Sequence, residues 1–131
     1  MSPAILTLCV MVGGGIGAVL RGELDRFITR KTDVYGPLGI FVINTLASAL
    51  IGLLTGVGLG TTGADPLAAQ IGTVVSTGFL GGFSTLSTVA TDSAKLLQSR
   101  QWVWLVTNTL GMLIVSAGLC LAGFGFIQLF V

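Results

Sequence analysis

Residues 71–92 read IGTVVSTGFLGGFSTLSTVATD, and the reading of this stretch decides the fold. It is too apolar for water, yet it carries three glycines within five positions (Gly78, Gly81 and Gly82). Four hydroxyls follow at once: Ser84, Thr85, Ser87 and Thr88. Glycine weakens a helix and opens dihedrals closed to other residues. At mid-membrane depth, non-helical backbone is tolerated only where it is buried in protein or lines a wet cavity. The stretch therefore predicts a membrane helix that breaks at Gly81 and Gly82, as the discontinuous helices of channels and transporters do.

Working outward, the rest of the chain is equally apolar. Of 131 residues, 53% are hydrophobic and 8% charged, against about a quarter charged in soluble domains. Charge-free spans cover residues 1–20, 36–64, 66–91 and 101–131, each able to cross a bilayer core that needs about 20 helical residues. The first lacks a basic leader and a small-x-small cleavage site, so it reads as a retained helix and not a signal peptide. The expectation is an all-α integral membrane protein, one domain over 1–131, with helices near 3–21, 36–60, 67–93 and 101–128.

Charge is one-sided. All six basic residues fall after the first span (Arg21, Arg26, Arg30, Lys31) or after the third (Lys95, Arg100). With four spans those two loops share one face, and the positive-inside rule places them in the cytoplasm with both termini outside. Six against none argues for a single fixed orientation. Small residues at spacing four, Gly13 with Gly17 and Gly52 with Gly56 and Gly60, mark helix faces for close approach, either inside the protomer or between protomers.

Several chemistries are excluded. No Asp, Glu, Lys, Arg or His lies deep in a span, so proton coupling through a membrane carboxylate and voltage sensing are disfavoured. A small multidrug-type exporter shares the four helices but needs that carboxylate. No hydroxyl has a base near it, which disfavours a hydrolase. Cys9 and Cys120 are isolated and there is no histidine, so a zinc site is disfavoured. GGGIGA from Gly13, with Asp33 further on, matches a dinucleotide motif only formally, because no soluble βαβ unit surrounds it. A passive conduit or a purely structural membrane protein remains. Arg21 closes the first span and either snorkels or faces a vestibule. Asn44 must find partners in an apolar span, a neighbouring helix or a passing anion. The four hydroxyls can bond back to carbonyls one turn earlier or line a path.

On these residues the chain resembles the Fluc/CrcB fluoride channels. The matching pieces are GGGIGAVLR (13–21), PLGIFVINTLASALIG (37–52) and GFLGGFSTLSTV (78–89), the last similar to that family's G-F-x-G-G-x-T-T-F-S-T-F. The resemblance implies an antiparallel dimer of four-helix subunits with two fluoride pores along the interface. It also implies a central structural sodium ion held by the backbone carbonyls of Gly81 and Ser84. Asn44 falls on the pore-lining amide, Thr85 on the second motif threonine, and Arg21 on the arginine ending the first helix. Fluoride is small and strongly hydrated, so a pore must replace its water with amide and hydroxyl donors. The family adds the positive edges of phenylalanine rings.

The chain departs from that pattern at Leu86 and Val89, which stand where the family has phenylalanines. In the fourth helix Met112 stands where the family has a serine, leaving Asn108 and Ser116 as the nearest polar residues. The expected pore lining is thus Asn44, Thr85, Leu86, Ser87, Thr88, Val89, Asn108 and Ser116. Missing aromatics and one-sided charge together suggest pairing with a homologous subunit of opposite orientation. A self-sufficient homodimer and a non-conducting structural or regulatory subunit are the alternatives. The expected role is passive fluoride export across a bacterial-type inner membrane.

Overall fold

The computed structural model describes residues 1–32, 38–58, 65–84 and 86–130. Among them every regular element is helical, and four helices are long and apolar enough to cross a membrane: Pro3–Lys31, Leu38–Gly56, Pro66–Gln98 and Trp102–Gln128. Large apolar side chains face outward along the spans, with Leu8 60%, Leu113 65% and Leu121 72% exposed. In water such a surface would aggregate; in a bilayer the acyl chains cover it.

The first helix, α1 (Pro3–Thr32), runs well past the expected end near residue 21. The charged stretch after Arg21 keeps helical spacing, with Arg26 Nη1 2.7 Å from Glu23 Oε1 and Lys31 Nζ 4.8 Å from the Phe27 ring centroid. Each such contact adds only tenths of a kcal/mol. The basic residues therefore extend a helix instead of forming a loop. The second helix, α2, spans Leu38–Gly56.

The third span begins as α3 (Pro66–Thr73), capped by Asp65, whose Oδ1 accepts from the Leu67 amide at 3.1 Å, with proline in the first turn. It widens into a π turn over Val74–Leu80 and closes as α4 (Gly81–Phe83). The break then falls at Ser84, whose backbone is extended (φ −80°, ψ 155°). This corrects the expected break at Gly81 and Gly82: both stay in the helix, Gly81 with φ −64° and ψ −38°. After the break comes α5 (Leu86–Gln98). Arg100 at φ 56° turns the chain, and the Gln101 amide donates to the Leu96 carbonyl at 3.0 Å in a left-handed C-terminal cap. The last span is α6 (Trp102–Val106), a second π turn (Thr107–Gly111) and α7 (Met112–Gln128).

The glycines serve close approach instead. A Cβ on Gly17 would overlap the Phe79 carbonyl, and one on Gly82 would overlap the Gly14 carbonyl, so α1 lies backbone to backbone on the first half of the third span. Likewise a Cβ on Gly52 would overlap the Cys120 carbonyl, and one on Gly56 would meet Ile127 Cβ at 2.7 Å, seating α2 on α7. Of the two roles open to the spacing-four glycines, Gly17, Gly52 and Gly56 take internal packing, as does Gly13, where a Cβ would lie 3.3 Å from the Phe79 nitrogen; Gly60 lies outside the described residues. Between the two helix pairs, Ile40, Ile43, Ala47, Leu80, Phe83, Val89 and Met112 form one buried cluster.

Candidate functional site

The break at Ser84 sits beside the middle of α2. An open groove of about 200 Å³ is lined by Asn44, Ser48, Ser84 and Leu86. Asn44 and Ser48 are one turn apart on α2 and so share a face. Asn44 is 9% exposed, and its Nδ2 donates to Met112 Sδ at 3.4 Å. A thioether is a weak acceptor, and Asn44 has a further interaction besides this one. Ser84 enters because its extended backbone interrupts the helix, while its N–H still donates to the Leu80 carbonyl at 2.9 Å. Leu86, the first residue of α5, is 80% exposed. Among the described residues the lining is neutral, with an amide and hydroxyls as its side-chain donors.

Across the break, Arg21 ties α1 to α5. Its Nη1 donates to Thr88 Oγ1 at 3.3 Å, while its Nε is buried without a partner among the described residues. Arg21 is half-buried and reaches into the protein instead of snorkelling outward.

The structure places the remaining expected site residues in three settings. Ser87 is exposed on the first turn of α5. Val89 is 4% exposed and belongs to the core cluster of this chain. Asn108 is fully buried in the second π turn, where Nδ2 donates to the Val89 carbonyl at 3.3 Å and to Ser93 Oγ at 2.9 Å. Ser116 is half-buried, its Oγ without a partner among the described residues. Gly81 is exposed beside Ser84. Thr85 lies outside the described residues. Asn44, Ser84 and Leu86 therefore come together at the groove, while Asn108 ties the fourth span to α5.

Sequence reasoning missed Ser48, Ser93 and the sulfur of Met112 as partners in these arrangements. Ser48 carried a usable signal, the one-turn spacing from Asn44. The pairing of Asn108 with Ser93 had none, because it depends on the π turn. Asn108→Ala removes the donor to both Val89 and Ser93, and we expect it to cost about 0.5–2 kcal/mol, read as a lower thermal unfolding midpoint in detergent.

The fold and the groove together define a multi-pass membrane protein with an interrupted third span beside a groove of amide and hydroxyl donors. Comparison with known proteins narrows that class. The chain belongs to the CrcB family: the family model described as CrcB-like protein, Camphor Resistance (CrcB), matches residues 8–124. It is 34% identical over 118 residues to the fluoride-specific ion channel FluC 1 of Leifsonia xyli subsp. xyli (strain CTCB07), covering 90% of this chain and 82% of that protein. It is 36% identical over 121 residues to the fluoride-specific ion channel FluC of Hydrogenobaculum sp. (strain Y04AAS1), covering 88% and 96%. With the fluoride-specific ion channel FluC 1 of Geobacillus kaustophilus (strain HTA426) it shares 39% identity over 99 residues, covering 76% and 78%.

Proposed function

We propose that this chain is a subunit of a fluoride channel that lets cytoplasmic fluoride leave the cell passively. The observation that carries the reading is the groove at the Ser84 break, where Asn44 and serine side chains offer neutral hydrogen-bond donors at an opening the chain does not close on itself. A small anion stripped of water needs such donors. Relatives named as fluoride-specific channels match most of the chain.

Because the groove is open on one side, the conducting unit includes a second subunit. The one-sided basic residues favour a homologous partner inserted the other way up over a second copy of this chain, with loops one and three of this chain in the cytoplasm and its termini outside. Leu86 and Val89 offer no ring edge to an anion, which fits a partner supplying aromatic side chains. A structural sodium ion is the associated cofactor. Main-chain carbonyls are hard oxygen donors, and the extended Ser84 backbone turns its carbonyl out of the helical pattern next to the exposed Gly81. Those two carbonyls would hold the ion, and its charge would tie the break to its surroundings.

Fluoride efflux from liposomes, read with a fluoride electrode, tests the function. The chain reconstituted with an oppositely oriented homologue is expected to release trapped fluoride and retain chloride. Absence of efflux from both the chain alone and the pair would overturn the reading. Efflux of equal rate from the chain alone would remove the case for a distinct partner. The intact mass of the purified complex and reporter fusions at the termini then fix composition and orientation.

A further inference from the structure

We propose that Ser48 is an anion-contacting residue, its hydroxyl forming a second station one helical turn along α2 from Asn44. The inference rests on the fluoride reading and adds a residue and a step to it. Hydroxyls in these spans habitually spend their hydrogen on their own helix. Thr55 bonds the Ile51 carbonyl at 2.8 Å, Thr73 the Ala69 carbonyl at 2.9 Å, Ser76 the Gly72 carbonyl at 2.6 Å and Thr107 the Val103 carbonyl at 2.9 Å. Ser48 does not follow them, nor do Thr45 and Ser116, whose hydroxyls have no partner among the described residues, but of these three Ser48 is the one that lines the groove. It takes no hydrogen-bond partner among the described residues, and it is half-buried on the groove wall. An unspent hydroxyl in an apolar span is costly unless something accepts from it.

What accepts there is set by the lining. Asn44, Ser48 and Ser84 carry no charge, and Leu86 supplies only an apolar wall. Neutral side-chain donors hold a small anion loosely enough to release it, which conduction requires. Four residues of helix advance about 6 Å, so the Asn44 amide and the Ser48 hydroxyl can hand an ion along without both holding it tightly. Ser84, at the break in the third span, lines the same groove.

The test uses whichever assembly conducts. Ser48→Ala is expected to lower fluoride efflux about tenfold, the loss of one hydrogen bond to a charged ligand. Ser48→Thr, which keeps the hydroxyl, should stay within about threefold of the parent. Ser48→Cys is expected to be blocked by a water-soluble methanethiosulfonate, while the parent, with Cys9 and Cys120 half-buried, resists it. Ser48→Ala conducting like the parent, or Ser48→Cys untouched by the reagent, would overturn the proposal and leave the channel reading intact. A parent protein that passes no fluoride removes both.

Discussion

Gly82→Val is expected to leave no recoverable folded protein in mild detergent. The reason is geometric. Even a single methyl on Gly82 would overlap the Gly14 carbonyl and approach its Cα at 2.8 Å, and main-chain atoms cannot rotate aside as a side chain does. Relief requires α1 and the third span to separate, and that contact also seats Gly17 against Phe79 and Phe83. Overpacking a tight core costs about 1–3 kcal/mol; here the strain falls on two helices at once, in a chain whose interhelical packing has no hydrophobic drive in lipid. The matched control is Gly118→Ala, where a new Cβ meets nothing within 4 Å. It should be neutral or stabilising by up to about 1 kcal/mol, since alanine is the better helix former. Size-exclusion profiles and thermal unfolding of the two variants check the contrast. Equal profiles would mean that α1 does not lie on Gly82.

Asn44→Leu is expected to spare the fold and cut fluoride efflux by about 10- to 100-fold. Leucine keeps the branching and heavy-atom count of asparagine but carries bulkier methyl groups, so the exchange removes the polar atoms at a repacking cost of about 1–3 kcal/mol or less. The protein loses the bond to Met112 Sδ at 3.4 Å, a weak acceptor, together with a further Asn44 interaction, a cost of about 1–2 kcal/mol that the unfolding midpoint reads. The transported ion loses an amide donor at the groove, and a hydrogen bond to a charged group is worth about 1.5–3 kcal/mol. Efflux from liposomes together with unfolding midpoints separates the two effects. A variant as stable as the parent and equally conductive would place the ion path away from Asn44.

Much of this architecture was legible in the chain itself, because bilayer thickness imposes a length on every crossing segment. Charge-free runs marked the four crossings, and Asn44 stood out as an amide that had to find partners. The position of the break was misread because glycine has two uses. Gly81 and Gly82 suggest dihedral freedom, whereas the structure uses Gly82 for the approach of Gly14 and bends two residues later, at Ser84. Apolar character stops at Arg21 and so predicts an end there, but helical geometry continues through Thr32 on charged residues of good propensity. The π turns at Val74–Leu80 and Thr107–Gly111 left no pattern in the residues. They arise from packing, and the second one carries Asn108 into the interior.

One rim of the molecule is stitched shut. The Met1 ammonium reaches Gln70 Oε1 at 2.9 Å, and the Gln128 amide reaches the Gly56 carbonyl at 3.3 Å. The alternation of four crossings puts both ties on the face that holds the two chain ends. Each joins segments about 70 residues apart in sequence, the first holding α1 to α3 and the second α2 to α7. Each helix pair is thus closed at that level, and sliding of one pair past the other breaks neither tie.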